Sequence, residues 1–452
     1  MDFGFEGTES SDFDVEIEDF VLKKTKKFTR IFEIGFGGSV CFCNVMGDSV
    51  YFGACDGFVY AVDAETGKEQ WRFKTGGVIM ASPAFRENRV LIGSFDGYLY
   101  CIDSGTGEGI WKFKTSDMIY STATTSEGIV YFGSNDNFFY ALDIETGRES
   151  WRFKTGGEIT ATPLCHENYV LFGSYDGNYY CLNKRSGKEI WRFKTGDHVQ
   201  CEQKPLVHKG VVYFGSWDNN MYGVEIETGK EIWRFRTGKL GASGSAVVYK
   251  NVIIFGCRDG ILYAVDVDTK RELWRFETGK VFLGASIRNG IVYFGTEDKN
   301  FYALDALDGK ELWRYRAGNY NYGKPPFYKN LVFVASWDCH VYALNLETGK
   351  EVWRFATSSL SPAYTPPPHR EFEMVVKKET HIEEPISEEK YKSKKKEETV
   401  SLSDYHVQSE YSSESEYKQK SEYDTSFVIL EEVLAFNPDL NNENHLEFQR
   451  RV

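Results

Sequence analysis

The chain has 452 residues, a formal net charge of −14, 41% apolar and 16% aromatic residues, and only 11 prolines. These figures exclude a small disulfide-stapled fold, a collagen-like chain and a wholly disordered one. The acidic balance disfavours nucleic acid as a partner, because phosphates are met by clustered Lys and Arg.

Residues 1–19 carry eight acidic side chains and no basic one, and no stretch approaches 18 apolar residues. Neither a transmembrane helix nor a signal peptide is expected there. Residues 1–27 read as an acidic, disordered arm. Its phenylalanines, Phe3, Phe5, Phe13 and Phe20, leave two readings open, a partner motif or simple solvation. Residues 30–35 (RIFEIG) look like a segment, WRFKTG, that recurs farther along, but without its Trp.

That segment belongs to a repeat. Residues 61–71 read AVDAETGKEQW, residues 141–151 ALDIETGRESW and residues 303–313 ALDALDGKELW. The anchoring tryptophans Trp71, Trp111, Trp151, Trp191, Trp233, Trp274, Trp313 and Trp353 are 40, 40, 40, 42, 41, 39 and 40 residues apart. Within a period, short apolar runs such as residues 90–93, 98–100 and 110–113 are separated by turn residues, which indicates strands. One turn is built on an Asp present in every copy (Asp56, Asp96, Asp136, Asp176, Asp218, Asp259, Asp298, Asp338), followed by Gly in four and Asn in two. Such pairs accept the positive φ of a tight hairpin. A second turn, Glu-Thr-Gly-Lys or a variant, places a Gly four residues before each Trp, except at Lys270.

Each period therefore supplies four antiparallel strands, ordered inner to outer, and such units at this period are the blades of a β-propeller. The expected architecture is all-β, an eight-bladed ring over residues 28–356 flanked by disordered tails. Residues 30–35 make a ninth outer-type strand for eight blades. They are expected to pair at the ring junction, displacing or flanking residues 352–355.

The spacing Ala-x-Asp-x-x-x-Gly-x-x-x-Trp, as in Ala61, Asp63, Gly67 and Trp71, resembles the tryptophan-docking motif of the pyrroloquinoline-quinone (PQQ) type propeller repeat. The resemblance covers about three quarters of the chain and assigns the eight tryptophans a structural role, docking blade to blade. The first position is small throughout: Ala61, Cys101, Ala141, Cys181, Gly223, Ala264, Ala303 and Ala343. Members of that family are quinoprotein dehydrogenases, which hold PQQ and Ca²⁺ in the funnel with a catalytic carboxylate and often an adjacent-cysteine disulfide, or non-catalytic scaffolds of outer-membrane protein assembly. Adjacent cysteines and long covering insertions are missing here, and residues 41–43, Cys-Phe-Cys, place both thiols on one strand face. No catalytic, cofactor or metal residue is assigned; a PQQ and Ca²⁺ site is the alternative.

Chain direction puts the loop leading into each blade on the same side as the Asp turn. The residue before the turn Asp varies freely there (Cys55, Phe95, Asn135, Tyr175, Trp217, Arg258, Glu297, Trp337), and the lead-in loops add Asp117, Glu158, Gln200, Glu202 and Lys324 among others. Aromatic and Arg residues supply most interface hot spots. The candidate binding face is therefore Phe95, Tyr120, Tyr175, His198, Trp217, Arg258, Tyr320, Tyr322 and Trp337. Trp217 and Trp337 stand either as partner contacts or as covers for neighbouring loops. His198 near Glu202 is a formal proton-transfer pair; without a second ligand or nucleophile it reads as a funnel-lining residue.

Nine cysteines form an odd set with no C-x-x-C pair and no N-x-Ser/Thr site, which fits a reducing cytoplasm. Residues 357–452 are proline-rich, then charged, then carry Ser-Asp/Glu-Tyr at six-residue steps ending at Tyr405, Tyr411, Tyr417 and Tyr423. This composition reads as disordered, with residues 426–436 (SFVILEEVLAF) as a possible docking segment. The ring itself holds 39 acidic against 37 basic side chains, so the tails carry most of the net charge. The expected protein is a monomeric, cytoplasmic, non-catalytic scaffold that binds protein.

Overall fold

The structure, a computed structural model, describes residues 38–200, 204–242, 246–278 and 284–357. The arms at residues 1–27 and beyond 357, and the segment at 30–35, lie outside the described residues. Eight antiparallel sheets follow one another along the chain, each with its strands in sequence order. The first blade is Val40–Met46, Ser49–Ala54, Phe58–Asp63 and Glu69–Lys74. The last ends on Leu331–Ser336, His340–Asn345 and Glu351–Ala356. Its inner strand is split into Asn321–Tyr322 and Phe327–Tyr328, because Pro325 and Pro326 cannot donate to the ladder. Glu351–Ala356 fills the outer position of that blade, so it is not displaced.

The two middle strands of each blade are apolar on both faces because both faces are covered by neighbouring blades. Eight buried clusters each join one consecutive pair. Tyr51, Val59 and Trp71 of blade 1, for example, meet Ile79, Val90 and Tyr100 of blade 2. The cluster of Val40, Val50 and Phe52 with Phe333, Val341 and Ala343 joins blade 8 to blade 1 and closes the ring. Parallel rings add to this packing, as Phe139 on Phe172 and Tyr179 on Phe214, with centroids 3.9 Å apart in both. Area burial of this kind is worth about 25 cal/mol per Å².

Register is locked by the tryptophan. Seven indoles donate Nε1–H to a backbone carbonyl of the following blade at 2.8–3.3 Å, from Trp71 to Ser104 O through to Trp353 to Ala64 O. Each of these rings lies over the turn glycine of that blade. A Cβ added at Gly67, Gly107, Gly147, Gly187, Gly229, Gly309 or Gly349 would come within 2.5–2.7 Å of the indole, and all seven have positive φ. Only a residue without a side chain serves both demands. The small residue at the first repeat position lies directly across the sheet from the indole, as Ala61 from Trp71 and Cys101 from Trp111.

A β-bulge recurs beside every one of these pairs, between Ala61 and Val62 in blade 1 and at the matching place in the others. The extra residue of the outer strand turns outward. This is why Ile110, Ile190, Ile232, Leu273, Leu312 and Val352, each just before its Trp, are exposed apolar side chains. A different bulge, between Val40 and Cys43, corrects the expectation that Cys41 and Cys43 share a face. Cys43 joins the blade 8 to blade 1 core, while Cys41 is turned into a separate cluster with Phe42 and Met80.

The turn Asp does more than shape its hairpin. In all eight blades Oδ1 accepts the N–H two residues on, as Phe58 N–H to Asp56 and Tyr98 N–H to Asp96. Oδ2 accepts the hydroxyl of the tyrosine four residues on, at 2.5–2.7 Å in seven blades and 3.2 Å for Tyr263 to Asp259. Oδ2 also accepts a backbone N–H from the preceding blade's exit: Gly76 to Asp96, Ser116 to Asp136, Gly156 to Asp176, Gly196 to Asp218 and Gly318 to Asp338. Positive φ falls on the following residue, including Lys299 and Cys339.

The junction of blades 5 and 6 departs from these rules. Lys270 takes the positive φ of the missing glycine at +60°, and its Cβ occupies the indole's seat. Trp233 is rotated, at 77° to Tyr213 where the equivalent pairs lie at 39–53°. Among the described residues its Nε1–H has no partner. Lys270→Gly removes the strain and frees the seat, so urea denaturation should show a gain of about 1–2 kcal/mol. An unchanged or lower midpoint would mean that something other than the Cβ holds Trp233 off its neighbour.

Candidate functional site

The residues before the turn aspartates are zipped to the lead-in segments of their own blades. Phe95 N–H donates to Val78 O, Tyr175 to Glu158, Trp217 to His198, Arg258 to Gly241 and Trp337 to Tyr320, all at 2.9–3.1 Å. The innermost strands thus extend toward this side, and their side chains gather around the ring axis. The nine candidate residues form two groups.

In the first, Tyr175 stacks on His198 with centroids 5.0 Å apart at 16°, and Trp217 lies edge-on to His198 at 5.4 Å. The Arg258 guanidinium sits over the Trp217 ring at 4.1 Å, a cation–π contact. His198 Nδ1 is 2.5 Å from Tyr175 O. Its other expected neighbour, Glu202, lies outside the described residues. In the second group Tyr320, Tyr322 and Trp337 form a triangle with centroids 5.1–6.2 Å apart. Trp337 continues into an apolar patch that holds Phe95 and Tyr120 with Cys41, Phe42, Met80 and Met118. This patch differs from the eight blade junctions in drawing on blades 8, 1, 2 and 3 together. One half of the mouth is therefore aromatic and apolar, the other aromatic and cationic.

Burial differs from the picture of a freely exposed face. Phe95, Tyr120 and Tyr175 are 7% exposed, Trp217 8% and Tyr320 3%, while Tyr322, Trp337, His198 and Arg258 are half-buried. Each ring packs on its neighbour, so these residues form the floor of a concavity. Among the described residues, the indole Nε1–H groups of both tryptophans and Asn135 Oδ1 are buried without a hydrogen-bond partner. Two carboxylates of the mouth are engaged: Glu158 accepts from Asn135 Nδ2 at 3.0 Å, and Glu297 from the Tyr322 hydroxyl at 2.7 Å. Burial and this carboxylate push the Tyr322 phenol well up, which keeps it protonated.

Two features escaped the sequence reading. The Asp-Tyr pair has a visible signal, Asp-x-x-x-Tyr in all eight periods, but its role across blades needs the ring. The second is Asn321. Where Ile79, Ile119, Ile159 and Val199 fill the hollow beside a preceding blade's glycine, blade 8 puts Asn321 against Gly295. It is 1% exposed, and among the described residues both amide atoms lack a partner. An unsatisfied buried amide costs about 1–3 kcal/mol. Asn321→Val, the residue blade 5 uses, should therefore raise the thermal midpoint; a lower midpoint would show that the amide has a structural task.

No helix among the described residues is long and apolar enough to cross a membrane. Among them, no three His, Cys, Asp or Glu side chains converge in a way that could hold a metal, and the eight described cysteines are free thiols. Among the described residues of the mouth, Glu158 and Glu297 are each held by a protein donor rather than grouped as an oxygen-rich set, and no chemistry is derived through a calcium-held quinone.

A profile of the family described as outer membrane protein assembly factor BamB matches residues 55–165, 155–280 and 258–376. No curated protein sequence matches. Among solved structures, the computationally designed protein Ika8 superposes with a TM-score of 0.62 at 20% identity, covering 68% of this chain and 96% of that one. BamB from Moraxella catarrhalis gives 0.59 at 18%, covering 66% and 94%. Quinohemoprotein alcohol dehydrogenase ADHIIG from Pseudomonas putida HK5 gives 0.58 at 15%, covering 67% and 71%. At these identities the structural likeness is one of fold. By its repeats and its eight blades, the chain belongs to the PQQ-like β-propeller repeat family of outer membrane protein assembly factor BamB.

Proposed function

We propose that the protein is a non-catalytic scaffold that binds a protein partner at the concave mouth formed by its lead-in loops and Asp turns. The observation that carries this reading is the gathering of aromatic rings at the mouth, with the Arg258 guanidinium over Trp217 at 4.1 Å and Trp337 running into the apolar patch around Phe95 and Tyr120. Burying the exposed parts of these rings against a partner would supply the hydrophobic gain, and Arg258 would meet a partner's carbonyl or carboxylate. The family description, an assembly factor, points the same way. A cytoplasmic location and a monomeric ring are part of this proposal, motivated by the free thiols and by a ring with no open end.

Affinity capture from the source cells with quantitative mass spectrometry tests it. Trp337→Ala and Arg258→Glu, at half-buried positions, should each lose the partners held by the unaltered chain by about tenfold or more, with the thermal midpoint little changed. Retention of the same partners would place binding elsewhere. Tight, calcium-dependent uptake of PQQ in an absorbance titration, with dye-linked alcohol oxidation, would replace the scaffold reading by a redox enzyme.

A further inference from the structure

Cys41 and Cys55 meet at the corner of the mouth where blade 1 adjoins blade 8. Cys55 N–H donates to Ser39 O at 2.9 Å, and Ala54 stands opposite Val40. Cys41, two residues after Ser39, is therefore the diagonal neighbour of Cys55 on the first strand pair, a placement from which side chains interact. The bulge between Val40 and Cys43 turns Cys41 toward the mouth, and both residues pack in the apolar patch with Met80, Phe95 and Met118. There the Cys55 thiol is hydrogen-bonded to Cys41. Cys41 is 2% exposed, while Cys55 is half-buried and keeps contact with solvent.

The other described cysteines are placed differently. Cys101, Cys181, Cys257 and Cys165 belong to four separate blade junctions, and Cys43 lies in the core between blades 8 and 1. Cys339 of blade 8 is near the pair, but its thiol is hydrogen-bonded to Ser39 and to the backbone of Gly38. The hydrogen bond to Cys41 first, and burial second, push the Cys55 thiol well up. Because the thiolate is the attacking species, the reduced pair reacts slowly with trace oxidant. Two thiols in contact on adjoining strands are nonetheless poised to be joined, and in a reducing compartment such a bond is transient and redox-sensing rather than a permanent staple.

We propose that Cys41 and Cys55 form a reversible thiol–disulfide pair that is oxidised by a small disulfide of the glutathione kind. The Cys55 sulfur attacks one sulfur of the small disulfide and expels the first thiolate; the Cys41 sulfur then attacks Cys55 and expels the second. One S–S bond breaks and one forms, the two cysteine protons pass to the two released thiols, and the pair gives up two electrons. The site stands independently of the protein-binding reading of the mouth. The test equilibrates the full chain in glutathione redox buffers, traps it with N-ethylmaleimide and maps unreduced peptides by mass spectrometry. A disulfide oxidant spares the neighbouring thioethers of Met80 and Met118, which peroxide would not. A Cys41–Cys55 cross-link should form in the folded chain, disappear with dithiothreitol, and follow the square of reduced glutathione over oxidised, as an intramolecular bond must. Cys41→Ser should leave Cys55 as a mixed disulfide with glutathione. In Cys55→Ser the buried Cys41 should carry about tenfold less glutathione than that, and Cys339→Ser should leave the cross-link unchanged. The proposal is overturned if no cross-link forms, if Cys55 links to Cys339 instead, or if the bond appears only in urea.

Discussion

The ring depends on an indole seated on the glycine of the next blade. That contact asks several things of the sequence at once. The residue across the sheet must be small, as Ala61 and Cys101 are. The seat must be a residue without Cβ and with positive φ, as Gly67 is. The outer strand must bulge just before the Trp, which leaves the preceding Ile or Leu in solvent. The exposed isoleucines and leucines of the outer strands are thus a by-product of aiming the indole, since a bulge re-aims the side chain beside it. Where one demand fails, at Lys270, the indole of Trp233 tilts and loses its hydrogen bond.

On the opposite side of the ring the lock is polar. Each turn Asp binds its own hairpin, the tyrosine four residues on and, at the junctions described above, the backbone of the preceding blade. Burial, with the carboxylate beside them, keeps tyrosines such as Tyr100 and Tyr140 protonated and therefore donating. This lock needs the Asp, the Tyr and one positive-φ residue, and it leaves the residue before the Asp unconstrained. The indole lock, by contrast, dictates almost every residue of its turn. One face of the propeller is uniform for that reason, and the other is free to differ from blade to blade, which is where a binding site can be built.

Blade number, strand order and the two faces were legible in the sequence because the demands of the indole lock repeat eight times at nearly constant spacing. What a single residue does between blades was less so. Cys41 and Cys43 alternate correctly on paper, but a bulge separates them. Phe95, Tyr120 and Tyr175 were legible as members of one face, yet their burial arises because lead-in segments from several blades converge on the axis, a distance relation with no local signature. Asn321 is an ordinary polar residue in its own segment. Only its place against Gly295 of the preceding blade makes its unpaired amide conspicuous.

The central claim is that the indole-on-glycine contact, not blade burial alone, closes the ring between its last and first blades. A double-mutant cycle on Gly67 and Trp353 addresses it by equilibrium unfolding. Trp353 donates to Ala64 O at 3.1 Å and lies where a Cβ on Gly67 would stand 2.6 Å from its ring. Gly67→Ala should therefore cost much more in the unaltered chain than in the Trp353→Ala background, where only the backbone strain remains. The coupling should exceed about 1 kcal/mol. Additivity of the two changes within about 0.5 kcal/mol would contradict the account and leave the hydrophobic junction as the sole closure.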